Sequence, residues 1–421
     1  MASSSMKYDM VVFGATGFTG QFLVDEISRV AEEEKLTWAI SGRNMAKLQK
    51  VLCDASSRLG KNLEETPIII ADVNNKSSLE NMASQARVIL NVSGPYTTYG
   101  EPVIRACLEK GSHHLDLSRE QIFLEKMQLL YHDKAKENNV LIIGASGFGC
   151  LGSEAGVMFM QDKFTEGMLT GVEVFLNVEF GPLGGGLNHS TFESLLTSWG
   201  QSRELQDIRK AFLQPAIEED YKLPKGSCVF YNEDSKKWCT PSVSVDKAIV
   251  ERTTQDHLKT GIMKNPIDFL MYFCQPNLLF AFGLFMVTSI FQFICKFSIG
   301  LWLSLKIFKN IQGPTRTQCK ETTFTLTYVG HGFDSPESAN AGIKPNRKVV
   351  ARMTGPEPFY ITTSVILVQC GVIILKDGEK MHHKGGVLTT GAAFYGTDIL
   401  QQLDKNGIKI TTISETVTPK P

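Results

Sequence analysis

The sequence predicts an α/β protein: a doubly wound parallel sheet at the N-terminus, then a second α+β domain interrupted by a hydrophobic, membrane-associating segment. Three observations predict this. Apolar strand patterns alternate with amphipathic helix patterns from residue 8 to 150. A glycine turn, Gly14-Ala15-Thr16-Gly17-Phe18-Thr19-Gly20, follows the first strand pattern. Residues 278–305 carry a single charge, Lys296. Strand followed by helix, repeated, is the pattern that a parallel sheet requires.

The first strand is the apolar run Met10-Val11-Val12-Phe13, and a helix over 21–29 buries Phe22, Leu23 and Ile27 on one side. Between them the glycines have separate tasks. The first permits a sharp turn, the second lets backbone approach a diphosphate, and the third lets the helix pack against the strand. Amides at the helix N-terminus then face negative charge. This is the Rossmann arrangement, and it makes residues 14–20 a dinucleotide site. The strand over 37–41 ends at Gly42, where an NAD site usually carries an acidic residue for the ribose 2′-hydroxyl. Arg43 stands there instead. Its planar fork of donors suits a 2′-phosphate, so the expected cofactor is NADP(H), with NAD(H) as the alternative.

Further strands are expected at 66–72, 88–91, 114–117 and 140–144, and helices at 77–85, 101–110 and 121–138. In open parallel sheets ligands sit beyond the carboxyl ends of the strands. That rule places Asp72 at the adenine side and Ser93, Gly94 and Pro95 beside the middle and nicotinamide portions of the cofactor. Beyond Gly156 the texture changes. Strands are expected at 169–179, 322–328 and 347–355, and a long apolar helix at 360–375. Residues 181–263 read as polar and irregular, with a loop capping a helix from Phe192. A glycine-rich loop at 385–392 precedes a last helix. The expected divisions are 1–150 for the Rossmann domain, 151–270 and 311–421 for the substrate-side domain, and 271–310 for the hydrophobic segment.

A chain of 421 residues implies two or three domains. Its net charge of -1 and the lack of a basic block argue against a nucleic-acid partner. Nine scattered cysteines without C-x-x-C spacing fit reduced thiols in a cytosol-facing protein, and no cluster has metal-ligand spacing. Residues 1–6 lack a hydrophobic core, so no secretory signal is expected. Residues 278–295 reach the length of roughly 18 apolar residues at which a bilayer can be crossed. A hairpin bent near Lys296, or a helix lying in a monolayer surface with snorkelling lysines, also fits, and a buried core helix is the plain alternative.

The combination VVFGATGFTG, SGR, NVSGPYTTYGEPVIRAC, GASGF and GGVLTTGAAF resembles the saccharopine dehydrogenase-like oxidoreductases of animals, nearly end to end. That superfamily also contains saccharopine reductases and bacterial trans-acting enoyl reductases that work on lipid intermediates. The resemblance implies that Gly14, Gly17, Gly20, Arg43 and Gly94 lie at the dinucleotide and that an α+β partner domain forms the cleft. It also implies association with lipid droplets or membranes; lysine metabolism is not implied. Two stretches depart from the family pattern. Asp116-Leu117-Ser118-Arg119-Glu120 replaces Asp-x-Ser/Thr-Gly-Glu. Gly149-Cys150-Leu151-Gly152 stands where members show Asp-Ser-Ile-Pro. The second departure predicts a loosened loop and slow or absent turnover, improved by restoring aspartate, serine and proline.

Candidate proton donors are Tyr96 and Tyr99 near the Gly-Pro turn and His189 in the glycine-rich loop. Ser118 and Glu120 are candidates to hold substrate. No Tyr-x-x-x-Lys pair stands at Tyr131, whose fourth residue on is Ala135. Three functions compete: an NADP(H)-dependent oxidoreductase acting on a lipid-borne or hydrophobic substrate, a non-catalytic NADP(H)-binding scaffold or sensor, and a hydrophobic-ligand carrier. The expected location is a lipid droplet or intracellular membrane facing the cytosol, with the mitochondrion as an alternative, and a homo-oligomer is compatible with it.

Overall fold

The computed structural model describes residues 6–200, 202–211, 221–242, 245–340 and 344–418. The start of the N-terminus discussed above, residues 1–5, and parts of the 181–263 stretch lie outside these. The first half alternates strand and helix as its periodicity demands: β1 (Tyr8–Phe13), α1 (Phe18–Glu34), β2 (Trp38–Gly42), α2 (Met45–Leu59), β3 (Ile68–Ile70), α3 (Lys76–Ala83), β4 (Ala86–Asn91), α4 (Tyr96–Lys110), β5 (His113–Asp116), α5 (Gln121–Glu137), β6 (Leu141–Ile143) and α6 (Phe148–Lys163). Then come β7 (Met168–Glu179), α7 (His189–Gly200), α8 (Ser202–Ala211), β8 (Phe230–Asn232), β9 (Lys237–Pro241), α9 (Asp246–Thr260) and β10 (Asp268–Gln275). Two apolar helices follow, α10 (Leu278–Cys295) and α11 (Ser298–Phe308). The strands β11 (Thr323–Phe333), β12 (Arg347–Pro356), β13 (Gly386–Leu388) and β14 (Lys409–Val417) complete the chain, with a helix at Thr363–Lys376 between β12 and β13.

Seven strands form the first sheet in the order β13-β6-β5-β4-β1-β2-β3, every neighbouring pair parallel. The direction of winding reverses between β4 and β1, which is where a doubly wound sheet opens its ligand crevice. The second sheet is mixed, in the order β14-β12-β11-β7-β10-β9-β8, with β10 and β7 its parallel pair. One large core runs between the two sheets. It joins Met10, Leu90 and Leu151 to Leu326, Tyr328 and Ile366.

Several expectations are corrected. Residues 181–263 are not one irregular stretch; their described part holds α7, α8, β8, β9 and α9. The expected loop at 385–392 contains β13, which pairs with β6 and so belongs to the first sheet. The helix at Thr363–Lys376 also packs on that sheet, with Gly371 against Met10 and Leu90. The chain therefore returns to the Rossmann layer after residue 311. The hydrophobic segment begins at Leu278 rather than 271, because residues 271–275 belong to β10.

Residues 149–152 are not a loosened loop. They lie in the first turns of α6, and the small residues there permit close packing. A Cβ on Gly152 would stand 3.2 Å from Leu326, and one on Gly156 would stand 2.0 Å from the Tyr328 ring.

Candidate functional site at the carboxyl edge of the first sheet

The glycine turn has the geometry its residue types predict. Gly14 takes φ +93°, the left-handed region open to glycine, and a Cβ on it would lie 3.0 Å from the Ser93 amide nitrogen. The turn after β1 thus touches the turn after β4, at the reversal point of the sheet. A Cβ on Gly17 would lie 3.2 Å from the Gly14 carbonyl oxygen. One on Gly20 would lie 2.4 Å from that oxygen and 2.9 Å from Ala15. Gly17 is the N-cap of α1 and supplies no side-chain acceptor to the helix. First-turn amides are left facing the crevice, the arrangement that suits an anion.

The ends of β2 and β3 lie side by side, with Gly42 paired to Ile70. Arg43 is exposed there and has no hydrogen-bond or ion-pair partner among the described residues. Asn44 caps α2 by accepting from the Lys47 amide at 3.0 Å, so the backbone is held independently of the Arg43 side chain. Asp72 is half-buried and accepts the Asn74 amide at 2.9 Å. Ser93 donates its amide to Asn91 Oδ1 at 3.0 Å, ahead of Gly94 and Pro95. Gly14, Arg43, Asp72 and Ser93 therefore share one edge, and a cradle with an unpaired guanidinium fits a phosphorylated dinucleotide.

The residues expected to handle substrate are occupied otherwise. Glu120 is buried and takes the amides of Tyr96 (2.9 Å) and Thr97 (2.7 Å), which caps α4; the Thr97 hydroxyl also donates to it. Ser194 of α7 donates to the same carboxylate at 3.1 Å. Ser118 accepts the Glu120 amide at 3.2 Å. The Tyr96 hydroxyl donates to the Asn91 carbonyl at 3.1 Å and accepts from the Leu117 amide. Tyr99 stands exposed in the first turns of α4. His189 Nδ1 lies 3.2 Å from the Phe308 carbonyl oxygen, and Nε2 lies 3.7 Å from Glu193. This histidine ties α7 to α11 rather than serving the glycine loop.

The sequence reading missed the buried pair at the end of β5. Burial pushes the Asp116 carboxyl up to about 7, although the amides of Ser118 and Ala145 pull the other way. Both amides bond Oδ1, and Oδ2 has no hydrogen-bond partner among the described residues. His114 Nδ1 lies 3.8 Å from that oxygen, and burial holds its ring down to about 3. The signal available in sequence was His-x-Asp at the end of a strand, which has no specificity by itself.

The two departures from the family pattern prove to be one unit. A Cβ on Gly149 would lie 2.5 Å from Arg119 Nη1. Arg119 in turn donates to Asp246, fully buried at the start of α9, at 3.0 Å, and Ser153 donates to the other Asp246 oxygen at 2.8 Å. An aspartate restored at 149 would displace the guanidinium from this position, so the triple restoration would act on the Arg119–Asp246 pair as well as on the turn.

Behind it, Glu154 is enclosed by α6, α9 and the segment after β13. Thr253 donates to Oε1 at 2.6 Å, and a Cβ on Gly391 would lie 2.0 Å from Oε2, so a side chain there would have to push the carboxylate aside. Burial pushes Glu154 up to about 8 from an ordinary 4.5. Between these values the native chain keeps a proton that the unfolded chain releases, so this group lowers stability as pH rises from 4.5 to 8 and has no further effect above. Glu154→Gln is expected to remove that slope, gaining on the native protein by roughly 1.4 kcal/mol per pH unit in this window. Urea midpoints at intervals of pH test it, and parallel profiles for the two proteins would contradict it.

Fold and site together define a two-sheet α/β protein of the dinucleotide-binding class. The saccharopine dehydrogenase NADP binding domain family matches residues 10–143. The human saccharopine dehydrogenase-like oxidoreductase is 36% identical, the alignment covering 98% of this chain and 99% of that one. A Caenorhabditis elegans protein named lipid droplet localized protein is 31% identical, over 97% of this chain and 99% of its own. Among solved structures, the apo saccharopine dehydrogenase (L-Glu forming) of Saccharomyces cerevisiae aligns with a TM-score of 0.53 at 11% identity. That alignment covers 97% of this chain and all of that one, a likeness of fold. This chain belongs to the saccharopine dehydrogenase-like oxidoreductase family and carries its NADP-binding domain.

Proposed function

We propose that this protein is an NADP(H)-dependent oxidoreductase acting on a lipid-borne or hydrophobic carbonyl or double bond at a lipid droplet or cytosol-facing membrane surface. The observation that carries the reading is the placement of α7. On one side it meets the dinucleotide edge: Ser194 bonds Glu120, and the Asn188 amide just before the helix donates to the Tyr360 hydroxyl at 2.6 Å. Tyr360 packs edge-on against Phe18 of the glycine turn, 4.7 Å between ring centroids. On its other side Phe192 stacks on Phe308 of α11 at 4.9 Å. One helix is thus a wall both of the crevice and of the apolar helix pair.

When bound, the nicotinamide cofactor supplies hydride chemistry. Gly14, Ala15, Thr16, Gly17, Phe18, Thr19 and Gly20 hold its diphosphate, Arg43 its 2′-phosphate, Asp72 the adenine side, and Ser93, Gly94 and Pro95 the middle portion. Asp116, lifted by burial to about 7, is able to take up or release a proton near neutral pH. A second reading, a non-catalytic NADP(H)-binding scaffold or sensor, is favoured by one observation: Tyr96, Ser118, Glu120 and His189 all spend their polar atoms on the fold.

Hydride transfer separates the two. The protein, supplied with NADPH deuterated at C4 and an extract of cellular lipids, is expected to place deuterium in a lipid product read by mass spectrometry. Tight NADPH binding without any labelled product would replace the oxidoreductase with the scaffold.

A further inference from the structure

The helix pair α10–α11 is unlike the other long apolar helix. The window of α10 is 11% buried, whereas that of residues 358–376 is 83% buried in the core. What remains buried on the pair is small: Ala281, Cys295 and Ser304, with the Cys295 thiol 4.0 Å from the Ser304 hydroxyl, while the pair as a whole packs on α7 and β9. A Cβ on Gly300 would lie 2.2 Å from the Ile294 carbonyl oxygen, so the two helices turn back tightly on one another. The outward side of α10 carries Leu279, Phe282, Met286, Ile290 and Phe293, spaced by three and four residues along one face. Alongside, α11 exposes Ile299 and Trp302.

Topology decides how this face meets lipid. β10 leads into the pair and runs parallel to β7; β11 leads out of it and runs antiparallel to β7, with Thr323 opposite Glu179. The chain therefore leaves and re-enters the same end of the same sheet. A crossing by α10, 18 residues and about 27 Å, would need a return crossing of similar length. α11 has 11 residues, about 16 Å, roughly half of a hydrocarbon core of about 30 Å.

Charge points the same way. No aspartate or glutamate occurs between Asp268 and Glu321, while Lys296, Lys306 and Lys309 are exposed along the apolar surface. Lys306 Nζ sits 5.0 Å from the centre of the Trp302 ring, an aromatic and cationic pairing suited to the headgroup layer.

We propose that α10 and α11 lie in the plane of one phospholipid leaflet, apolar face down, with the three lysines among anionic headgroups. This rests on the lipid-surface reading above and narrows it to a surface that a droplet monolayer and a bilayer leaflet share. It also orients the molecule, because α7 then stands directly over the lipid, between it and the dinucleotide edge.

Nitroxide depth profiling tests the arrangement. Of the nine cysteines only Cys53 and Cys228 are exposed, so a Cys53→Ser, Cys228→Ser background leaves the full chain open to single labels at Leu279→Cys, Met286→Cys or Phe293→Cys. On phosphatidylcholine vesicles containing phosphatidylserine, and on triolein droplets coated with the same mixture, all three labels are expected at one shallow depth. Replacing the three lysines by glutamate is expected to weaken vesicle binding by roughly a hundredfold. Immersion with Met286 far deeper than either end would mean a span and overturn this inference while sparing the lipid-surface reading. Labels left in water on both surfaces would overturn both. Spin–spin broadening between copies without lipid would assign the face to a second copy of the chain. Binding unchanged by the lysine replacements would overturn the headgroup role.

Discussion

Gly20→Ala is expected to abolish dinucleotide binding while leaving the second sheet folded. The added Cβ would sit 2.4 Å from the Gly14 carbonyl oxygen and 2.9 Å from two backbone atoms of Ala15. Backbone atoms cannot rotate aside as a side chain does, so the turn must move off α1. It has nowhere to go, because Gly14 already lies against Val92 and Ser93. Displacement of about 1 Å in a preorganised site is felt on the order of a hundredfold, and NADPH affinity should fall by at least that much. Gly283→Ala, on the outward surface of α10 with nothing within 4 Å, is the control. Calorimetric titration of both variants decides the matter, and near-native affinity in Gly20→Ala would remove the turn from the cofactor site.

Arg43→Ala is expected to weaken NADPH by roughly ten- to a hundredfold and to leave NADH almost unchanged. A charge-assisted hydrogen bond to a phosphate contributes about 1.5–3 kcal/mol, and NADH carries no such phosphate. The prediction is clean because Arg43 is exposed and bonded to nothing among the described residues, while Asn44 holds the start of α2 without it. Arg43→Lys should fall between, since an ammonium supplies the charge without the planar fork. Equal affinities for the two cofactors in the native protein would remove the basis of the argument.

The first sheet was legible because its information is local. Strand β1, the glycine turn and α1 are adjacent in the chain, and the alternation of periods two and 3.6 records which face of each element is covered. Arg43 was legible for the same reason, one residue past the end of β2. The start of α4 was not. The expected helix starts at 101, yet the helix begins at Tyr96 because the carboxylate of Glu120, from the next strand's end, supplies the missing cap.

By itself, the sequence determined the α/β class, the dinucleotide turn, the arginine in place of an acid, and the presence of a long uncharged segment. Only the tertiary structure decided which apolar helix is core. Residues 278–295 and 363–376 look alike in composition, and the second is buried because β1 and β4 offer Met10 and Leu90 to cover it, whereas nothing among the described residues covers the outer face of the first. It also decided that Gly386, Val387 and Leu388 form β13, by pairing them with β6, and that Arg119 packs over Gly149. Spacing along a chain encodes what lies within a turn or two of a residue. Contacts between residues separated by tens or hundreds of positions depend on which surfaces finally pack, and no local pattern carries that.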